Sequence, residues 1–211
     1  MTLPAWRRMS RAEARLAGKG TRVAGVDEAG RGPLAGPVVA AAVVLEPGKR
    51  WEGMNDSKLL DPVTRAALFA RVVSDARAFA WAVVGPRSID RVNIRRASLT
   101  AMARAVSRLA VAPELVLVDG CDLIPGVRAD QRAVIDGDSR MLSIAAASVV
   151  AKVVRDRIME CLDHVWPAYG FARHKGYGTP EHLEALARIG PCPIHRYSFT
   201  PVCVQELPLG V

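Results

Sequence analysis

The segment GVDEAGRGP, residues 25–33, combines two kinds of residue that could act on nucleic acid. Asp27 and Glu28 are adjacent acids that close an apolar, strand-like run, and acids at a strand end can hold divalent metal ions. The Gly30-Arg31-Gly32 turn follows at once. Its glycines leave room for the arginine to lie against a phosphate or a sugar. The segment therefore suggests a metal-dependent enzyme that acts on nucleic acid.

Further acids follow other predicted elements. Asp119 closes the apolar run ELVLVD (residues 114–119), and Asp138 lies in IDGDS (135–139) with Asp136 as a nearby competitor. If the strands that end at Asp27 and Asp119 are parallel neighbours, both carboxylates emerge at the same edge of the sheet. Clustered carboxylates repel one another and have raised pKa values, and Mg²⁺ or Mn²⁺ relieves that repulsion. From spacing alone, however, an ordinary turn is the commoner role of such acids.

Two such ions could activate the attacking water and stabilise the leaving oxygen of a phosphodiester. A dinucleotide site is the weaker interpretation of this region. Gly30, Gly32 and Gly36 do not form Gly-x-Gly-x-x-Gly, and Pro33 with the β-branched run after it argues against a helix opening there.

The composition is that of a folded, basic protein. The 211 residues include 29 Lys and Arg against 21 Asp and Glu, a net charge of +8 that indicates a polyanionic partner. The four cysteines are widely spaced without a Cys-x-x-Cys pair, which disfavours a zinc site and fits a reducing, cytoplasmic compartment. Apolar stretches are too short to span a membrane. Residues 1–20 are basic without an apolar core segment, so we expect a disordered extension rather than a secretory signal.

Alternating strands and helices must position these acids. The patterns predict strands at 22–27, 37–45, 78–85, 114–119 and 132–135, and helices at 62–75, 95–109, 141–165 and 180–189. The short link between the first two strands favours an antiparallel pair. The predicted fold class is α/β, a mixed β-sheet flanked by helices. Residues 21–165 would form the catalytic domain, and 166–211 a helical and loop region docked on it.

Seven motifs in order resemble those of bacterial ribonuclease HII, from about residue 21 to residue 202. They are GVDEAGRGPLAGPVV (25–39), NDSK (55–58), VLVDG (116–120), GDS (137–139), SIAAASVVAKVVRD (143–156), YGFxxHKGYGT (169–179) and HRxSF (195–199). The resemblance implies a ribonuclease H-like fold and metal-dependent hydrolysis of RNA in RNA–DNA hybrids. It also implies incision on the 5′ side of single ribonucleotides in duplex DNA, leaving 3′-hydroxyl and 5′-phosphate ends, as in ribonucleotide excision repair.

The same resemblance assigns metal binding and catalysis to four acids. They are Asp27, Glu28, Asp119 and Asp138, with two Mg²⁺ or Mn²⁺ ions as cofactors. The family often has a lysine where this chain has Asp136, and that departure adds negative charge beside the proposed site.

Recognition of RNA requires a group that reads the 2′-hydroxyl. The resemblance gives this role to Gly30, Arg31 and Gly32 together with Tyr177, whose ring and hydroxyl suit a sugar. Candidate phosphate contacts are Asn55, Ser57, Lys58, Lys152 and Arg155.

Other residues of the matched motifs have simpler interpretations. We expect Asp156 to pair with Lys152 one helical turn away. His174 and Lys175 are expected to be a loop pair, and the small residues 145–148 are expected to serve packing alone.

Three rival functions differ in what they require. A non-catalytic hybrid-binding protein would not need the acid cluster, which weakens phosphate binding without metal. Ribonuclease HIII, a similar family, is expected to carry a sizeable extra N-terminal domain, whereas about twenty residues precede the first strand here. A general structure-specific nuclease or transferase would not need the Gly-Arg-Gly turn and Tyr177. We therefore favour the ribonuclease HII interpretation, with RNA–DNA hybrid and ribonucleotide-containing duplex as partners of a monomer.

Overall fold

The computed structural model describes residues 3–18, 20–55 and 57–204, which build one mixed sheet flanked by helices. The strands are β1 (Val23–Ala29), β2 (Val38–Val44), β3 (Ala78–Val84), β4 (Leu115–Asp119) and β5 (Asp130–Val134). The helices are α1 (Ala5–Ala17), α2 (Pro62–Asp75), α3 (Pro86–Val92), α4 (Ile94–Ser107), α5 (Gly137–Arg140), α6 (Leu142–Val165), α7 (Phe171–His174) and α8 (Pro180–Ile189). Short 3₁₀ turns occupy Pro167–Tyr169 and Val202–Val204.

The strand order is β3-β2-β1-β4-β5. β1 pairs antiparallel with β2, as predicted, and parallel with β4, with Val26 opposite Val118. β5 extends the parallel part of the sheet. The carboxyl ends of β1 and β4 therefore meet at one edge, which is the arrangement that the acids after these strands require.

Helices cover both faces of the sheet. α4 buries Ala97, Ala101 and Met102 against one face, and α6 buries its small residues 145–147 against the other. Gly25 makes this close packing possible, because a Cβ atom there would lie 2.0 Å from the carbonyl carbon of Ser143. The start of α6 thus crosses β1 at backbone distance, and the predicted packing role of Ala145–Ala147 is confirmed.

The predicted disorder of the N-terminal extension is wrong for residues 5–17, which form α1. The apolar side chains of Trp6, Met9 and Leu16 pack against the cores of the protein, and Met9 is fully buried. Glu13 accepts hydrogen bonds from the backbone N–H and the hydroxyl of Ser143, both at 2.8 Å. The sequence of this segment is dominated by arginine and does not show the contacts with distant residues that stabilise α1.

The region after α6 packs onto the segment that follows β1. Leu34 N–H donates to the Gly176 carbonyl and Gly36 N–H donates to the Ile194 carbonyl, both at 2.8 Å. Residues 205–211 of the predicted C-terminal region lie outside the described part of the chain, and the division at residue 165 stays a prediction. In the residues described, none of the helices has the length and apolar character needed to cross a membrane.

Candidate active site

Asp27 and Glu28 reach one pocket from opposite faces of β1. The strand does not end at Asp27, as the sequence suggested, but continues to Ala29, so the two side chains alternate across the sheet. Asp27 pairs with Ala41 on the α6 face, and Glu28 pairs with Ala40 on the α4 face. Both line a pocket of about 440 Å³ together with Asp119. The pocket therefore curves around the sheet edge where β4 ends.

Asp119 and Asp138 are linked through the start of α5. Asp119 Oδ1 accepts a hydrogen bond of 2.7 Å from the backbone N–H of Gly137. The next residue, Asp138, is buried, and its Oδ2 accepts from Lys58 Nζ at 3.1 Å. Asp136 is exposed, with a left-handed backbone at the helix start. Of the two competing acids, the structure thus brings Asp138 toward the site.

The electrostatics are those of crowded, buried carboxylates. Burial raises the pKa of Asp27 well above its ordinary value, and the charges of Glu28 and Asp119 raise it further. Burial also raises the pKa of Glu28, although Arg31 opposes the shift. For Asp119, burial is again the largest cause of a raised pKa, and the charge of Asp138 adds to it. Such a site gains stability from any cation that enters it.

The donor chemistry fits hard divalent ions, because the side chains that converge are carboxylates. Yet across residues 3–18, 20–55 and 57–204 no three acidic, imidazole or thiol groups are grouped closely enough to hold one metal ion as they stand. Side-chain cations bind the carboxylates instead, with Arg31 Nη1 3.2 Å from Glu28 Oε1 and Lys58 on Asp138. Metal binding would require these carboxylates to turn away from Lys58 and Arg31.

The Gly30–Gly32 turn and the ring of Tyr177 form another wall of the same pocket. Gly30 has φ +95°, and a Cβ atom there would lie 2.0 Å from Arg155 Nε. The Arg155 guanidinium lies 5.9 Å from the centroid of the Tyr177 ring, which is half-exposed to the pocket. The turn, the arginine behind it and the aromatic ring are therefore one packed unit.

Arg196 holds this turn from behind, a role that the sequence did not reveal. Its guanidinium is fully buried and donates to the carbonyls of Gly30 (2.5 Å), Arg31 (2.8 Å) and Gly36 (3.0 Å). Burial lowers its pKa to about 9. The residue stands in the matched HRxSF motif, so a signal was present, but a motif does not say which backbone carbonyls a long side chain will reach.

Arg155, predicted as a phosphate contact, binds backbone carbonyls. It is 1 % exposed, and it donates to the carbonyls of Pro37 (3.1 Å), Ala35 (3.3 Å) and Lys175 (3.0 Å). Arg155 is one of the residues that line the pocket, but its guanidinium binds these three carbonyls, so it supports the pocket wall and its contact with phosphate stays a prediction.

The other predicted phosphate contacts divide between the pocket and its surroundings. Ser57, Lys58 and Lys152 line the pocket, whereas Asn55 is not among its lining residues. Lys152 also pairs with Asp156 at 2.8 Å, which confirms the helix pair expected there.

Two lining residues were missed. The hydroxyl of Ser148 lies 2.8 Å from that of Ser57 and hydrogen-bonds to Asp27, so it does more than the packing predicted for it. Arg65 lines the pocket from α2 and donates to the Ser57 carbonyl at 3.0 Å. His174 and Lys175, by contrast, are committed to Tyr169 and Glu160, as expected of a structural loop pair.

Known proteins resemble this chain in sequence and in fold. A family model described as ribonuclease HII matches residues 24–202. Ribonuclease HII of Agrobacterium fabrum is 56 % identical over 180 residues, covering 85 % of this chain and 82 % of that protein. The Geobacter metallireducens protein of the same name is 53 % identical over 180 residues, covering 85 % and 84 %. The crystal structure of ribonuclease H2 from Pyrococcus horikoshii superposes with a TM-score of 0.76 at 29 % identity, covering 88 % of this chain and 97 % of that one. The chain therefore belongs to the ribonuclease HII family and is an endoribonuclease, a phosphodiester hydrolase of the ribonuclease H type.

Proposed function

We propose that this enzyme hydrolyses the RNA strand of RNA–DNA hybrids and cuts on the 5′ side of a single ribonucleotide embedded in duplex DNA. The products carry 3′-hydroxyl and 5′-phosphate ends. The enzyme acts as a monomer, and its net charge of +8 favours the polyanionic duplex. Removal of misincorporated ribonucleotides from DNA is the process that such an activity serves.

One observation carries the proposal: the carboxylates and the candidate ribose reader face the same pocket. Asp27, Glu28 and Asp119 line one part, and the Gly30–Gly32 turn with Tyr177 lines another. A sugar whose 2′-hydroxyl lies against Tyr177 would thus have its phosphate beside the acids. Since the 2′-hydroxyl distinguishes RNA from DNA at a given nucleotide, this arrangement supports cutting at a ribonucleotide.

The residues of the pocket divide the remaining work. Lys58 and Lys152 bring positive charge for the phosphate, and Arg31 presents a half-exposed guanidinium beside the turn. Arg196 and Arg155 bind the backbone carbonyls around the turn, which limits its motion when a sugar enters.

Asp27, Glu28, Asp119 and Asp138 would hold two Mg²⁺ or Mn²⁺ ions. Bound there, such ions supply a nucleophilic water at neutral pH and stabilise the charge on the leaving oxygen. The crowding of these acids supports the assignment, because burial first, and neighbouring acidic charge second, raises the pKa values of Asp27 and Asp119.

The test uses one DNA duplex with a single internal ribonucleotide, labelled on either strand. Incubation with Mg²⁺, with Mn²⁺ and with a chelator should give a metal-dependent break 5′ of the ribonucleotide, mapped beside a sequence ladder. Extension of the upstream fragment by a polymerase reports the 3′-hydroxyl, and ligation of the downstream fragment reports the 5′-phosphate.

Asp119→Asn tests the role of the acids, because it removes one carboxylate charge while the amide oxygen can still accept the hydrogen bond from Gly137 N–H. We expect it to bind the duplex like the wild type and to lose cleavage. A break on the 3′ side, or cleavage of all-DNA duplex at a similar rate, would refute the proposed specificity. Full cleavage by the variant would remove the metal assignment.

A further inference from the structure

Three buried histidines lie together next to the backbone of Gly176 and Tyr177 and have no part in the chemistry described above. His182 on α8 and His195 in the following loop are fully buried, and His174 at the end of α7 is 9 % exposed. His174 and His182 stack with their ring centroids 4.5 Å apart. Imidazoles enclosed this way are stable only when each ring nitrogen has a partner of the correct kind.

The backbone groups at the two ends fix the direction of the hydrogen bonds that join His182 and His195. The Tyr177 carbonyl can only accept, so His182 Nδ1 carries a proton and donates to it at 2.8 Å. In the neutral ring His182 Nε2 is then an acceptor, and His195 Nε2 must donate to it at 3.0 Å. His195 Nδ1 is left as an acceptor, and Cys192 N–H donates to it at 2.9 Å. One set of neutral tautomers satisfies all three bonds.

These bonds form what we call the imidazole relay: Cys192 N–H to His195, His195 to His182, and His182 to the Tyr177 carbonyl. His174 binds the backbone on the N-terminal side of Tyr177. It accepts from Gly176 N–H at 3.1 Å through Nδ1, and its Nε2–H therefore donates to the Tyr169 carbonyl at 2.7 Å. The backbone on both sides of Tyr177 is thus fixed by histidines.

We propose that the imidazole relay is a positioning device, in which His182 and His195 fix the backbone of Tyr177 and so orient its ring toward the sugar in the pocket. This rests on the proposed role of Tyr177 as ribose reader. Neither histidine touches substrate. Their effect comes through the Tyr177 carbonyl, and the contact of Arg155 with the ring transmits the same orientation to the Gly30 turn.

The chain offers a matched pair of substitutions at His182. Asparagine reaches the position of Nδ1, so His182→Asn can keep the donation to Tyr177 while losing His195. Glutamine reaches the position of Nε2, so His182→Gln can keep the bond from His195 while losing Tyr177. Each variant loses one bond of the relay, and only one of them releases the Tyr177 carbonyl.

Steady-state cleavage of the single-ribonucleotide duplex should separate the pair. We expect kcat of His182→Gln to fall roughly 10- to 100-fold with little change in KM, because misplacement near the reacting centre lowers kcat. His182→Asn should stay within about threefold of the wild type. A role confined to stability would lower both variants alike, so equal losses, or the larger loss in His182→Asn, would overturn the proposal.

A second readout does not depend on activity. The chain has three tyrosines, so ¹⁹F NMR of protein labelled with 3-fluorotyrosine should give three signals, and Tyr177→Phe identifies that of Tyr177. His182→Gln should shift or broaden the Tyr177 signal, and His182→Asn should leave it near its wild-type position. An unmoved Tyr177 signal in His182→Gln would refute the relay. If the wild type fails to cut at a single ribonucleotide, the proposed function falls, while the fluorine signals still test the relay.

Should either His182 variant fail to fold, His195 supplies a second test, because neither of its variants releases the Tyr177 carbonyl. His195→Gln can keep the donation to His182 and should resemble the wild type in both readouts. His195→Asn can keep only the bond from Cys192, so it loses the same bond as His182→Asn and should also stay within about threefold of the wild type. A 10- to 100-fold loss of kcat in either His195 variant would contradict the proposal that the bond to the Tyr177 carbonyl positions the ring.

Discussion

Asp27→Asn should make the protein more stable while it abolishes cleavage. The side chain is buried, its pKa is raised well above the ordinary value of 3.8, and the causes are burial and the charges of Glu28 and Asp119. Asparagine has the same shape, and its amide oxygen can still accept the 2.7 Å bond from Glu28 N–H. The substitution therefore removes a destabilising charge and leaves the packing in place.

The size of the stability gain in Asp27→Asn, and its dependence on pH, follow from the linkage between protonation and folding. A like charge within about 6 Å in a partly buried site destabilises by roughly 1–3 kcal/mol, and we expect a gain of that order at pH 7. For a protein of this size the melting temperature should rise by about 3–10 °C. Because the folded-state pKa is raised, the native wild type binds more protons than the unfolded chain above pH 3.8 and loses stability as pH rises. The gain should thus be small near pH 3 and complete above the native pKa.

Thermal and urea unfolding between pH 3 and pH 8, in the presence of a chelator, measures this gain. Asp130→Asn is the control, since Asp130 is an exposed acid on β5, and it should change stability by less than about 0.5 kcal/mol. Adding millimolar Mg²⁺ or Mn²⁺ should stabilise the wild type more than Asp27→Asn, so the difference in stability between the two proteins should become smaller. A variant that is less stable than the wild type at pH 7 without metal would refute the reasoning.

Three further outcomes follow from the same geometry. Tyr177→Phe keeps the ring beside Arg155 and removes the hydroxyl. In a competition assay the preference for a ribonucleotide over a deoxyribonucleotide should therefore fall about tenfold, while the affinity for duplex is unchanged. An unchanged preference would contradict the proposed role of Tyr177. Gly30→Ala should lower the free energy of unfolding in urea by about 2 kcal/mol or more, because residue 30 has φ +95° and the new Cβ would clash with Arg155. Gly32→Ala is the control and should be near neutral, because its Cβ would meet only a Tyr177 carbon at 3.9 Å. Burial and the charge of His182 lower the pKa of His195 from 6.5 to about 4, so stability should fall by roughly 3 kcal/mol as pH drops between these values, and His195→Gln should flatten the curve.

The sequence predicted those parts of the fold that depend on local pattern and pairing. The helix predicted at 62–75 matches α2, and the side chain of Asp61 caps it by accepting from Val63 N–H and Thr64 N–H. Asp27 and Asp119 were predicted to share one sheet edge, and they do, because Asp119 ends β4, Asp27 lies two residues before the end of β1, and the two strands are parallel. In each case the residues that fix the structure are neighbours in the chain or across one pair of strands.

What the sequence did not reveal concerns side chains whose partners are distant in the chain. Arg155 was predicted to contact phosphate because its charge was visible, whereas its bonds to the carbonyls of Ala35, Pro37 and Lys175 could not be predicted. α1 looked disordered because its arginines dominate the composition, whereas the contacts of Met9 and Glu13 with distant elements stabilise it. The imidazole relay was not predicted for the same reason, since His195 belongs to the last matched motif and His182 lies outside all of them.

The bonds from Arg196 to the Gly30–Arg31 carbonyls join positions 165 and 166 residues apart, which has a consequence for synthesis of the enzyme on the ribosome. At roughly 5–20 residues per second, about 10–30 s pass between translation of the turn and translation of the arginine that fixes it. By the end of that interval all four candidate acids have been made, but the turn proposed to read the sugar is not yet held by Arg196. Selectivity for ribonucleotides should therefore arise abruptly once Arg196 has been translated, and chains that stop before it should lack that selectivity.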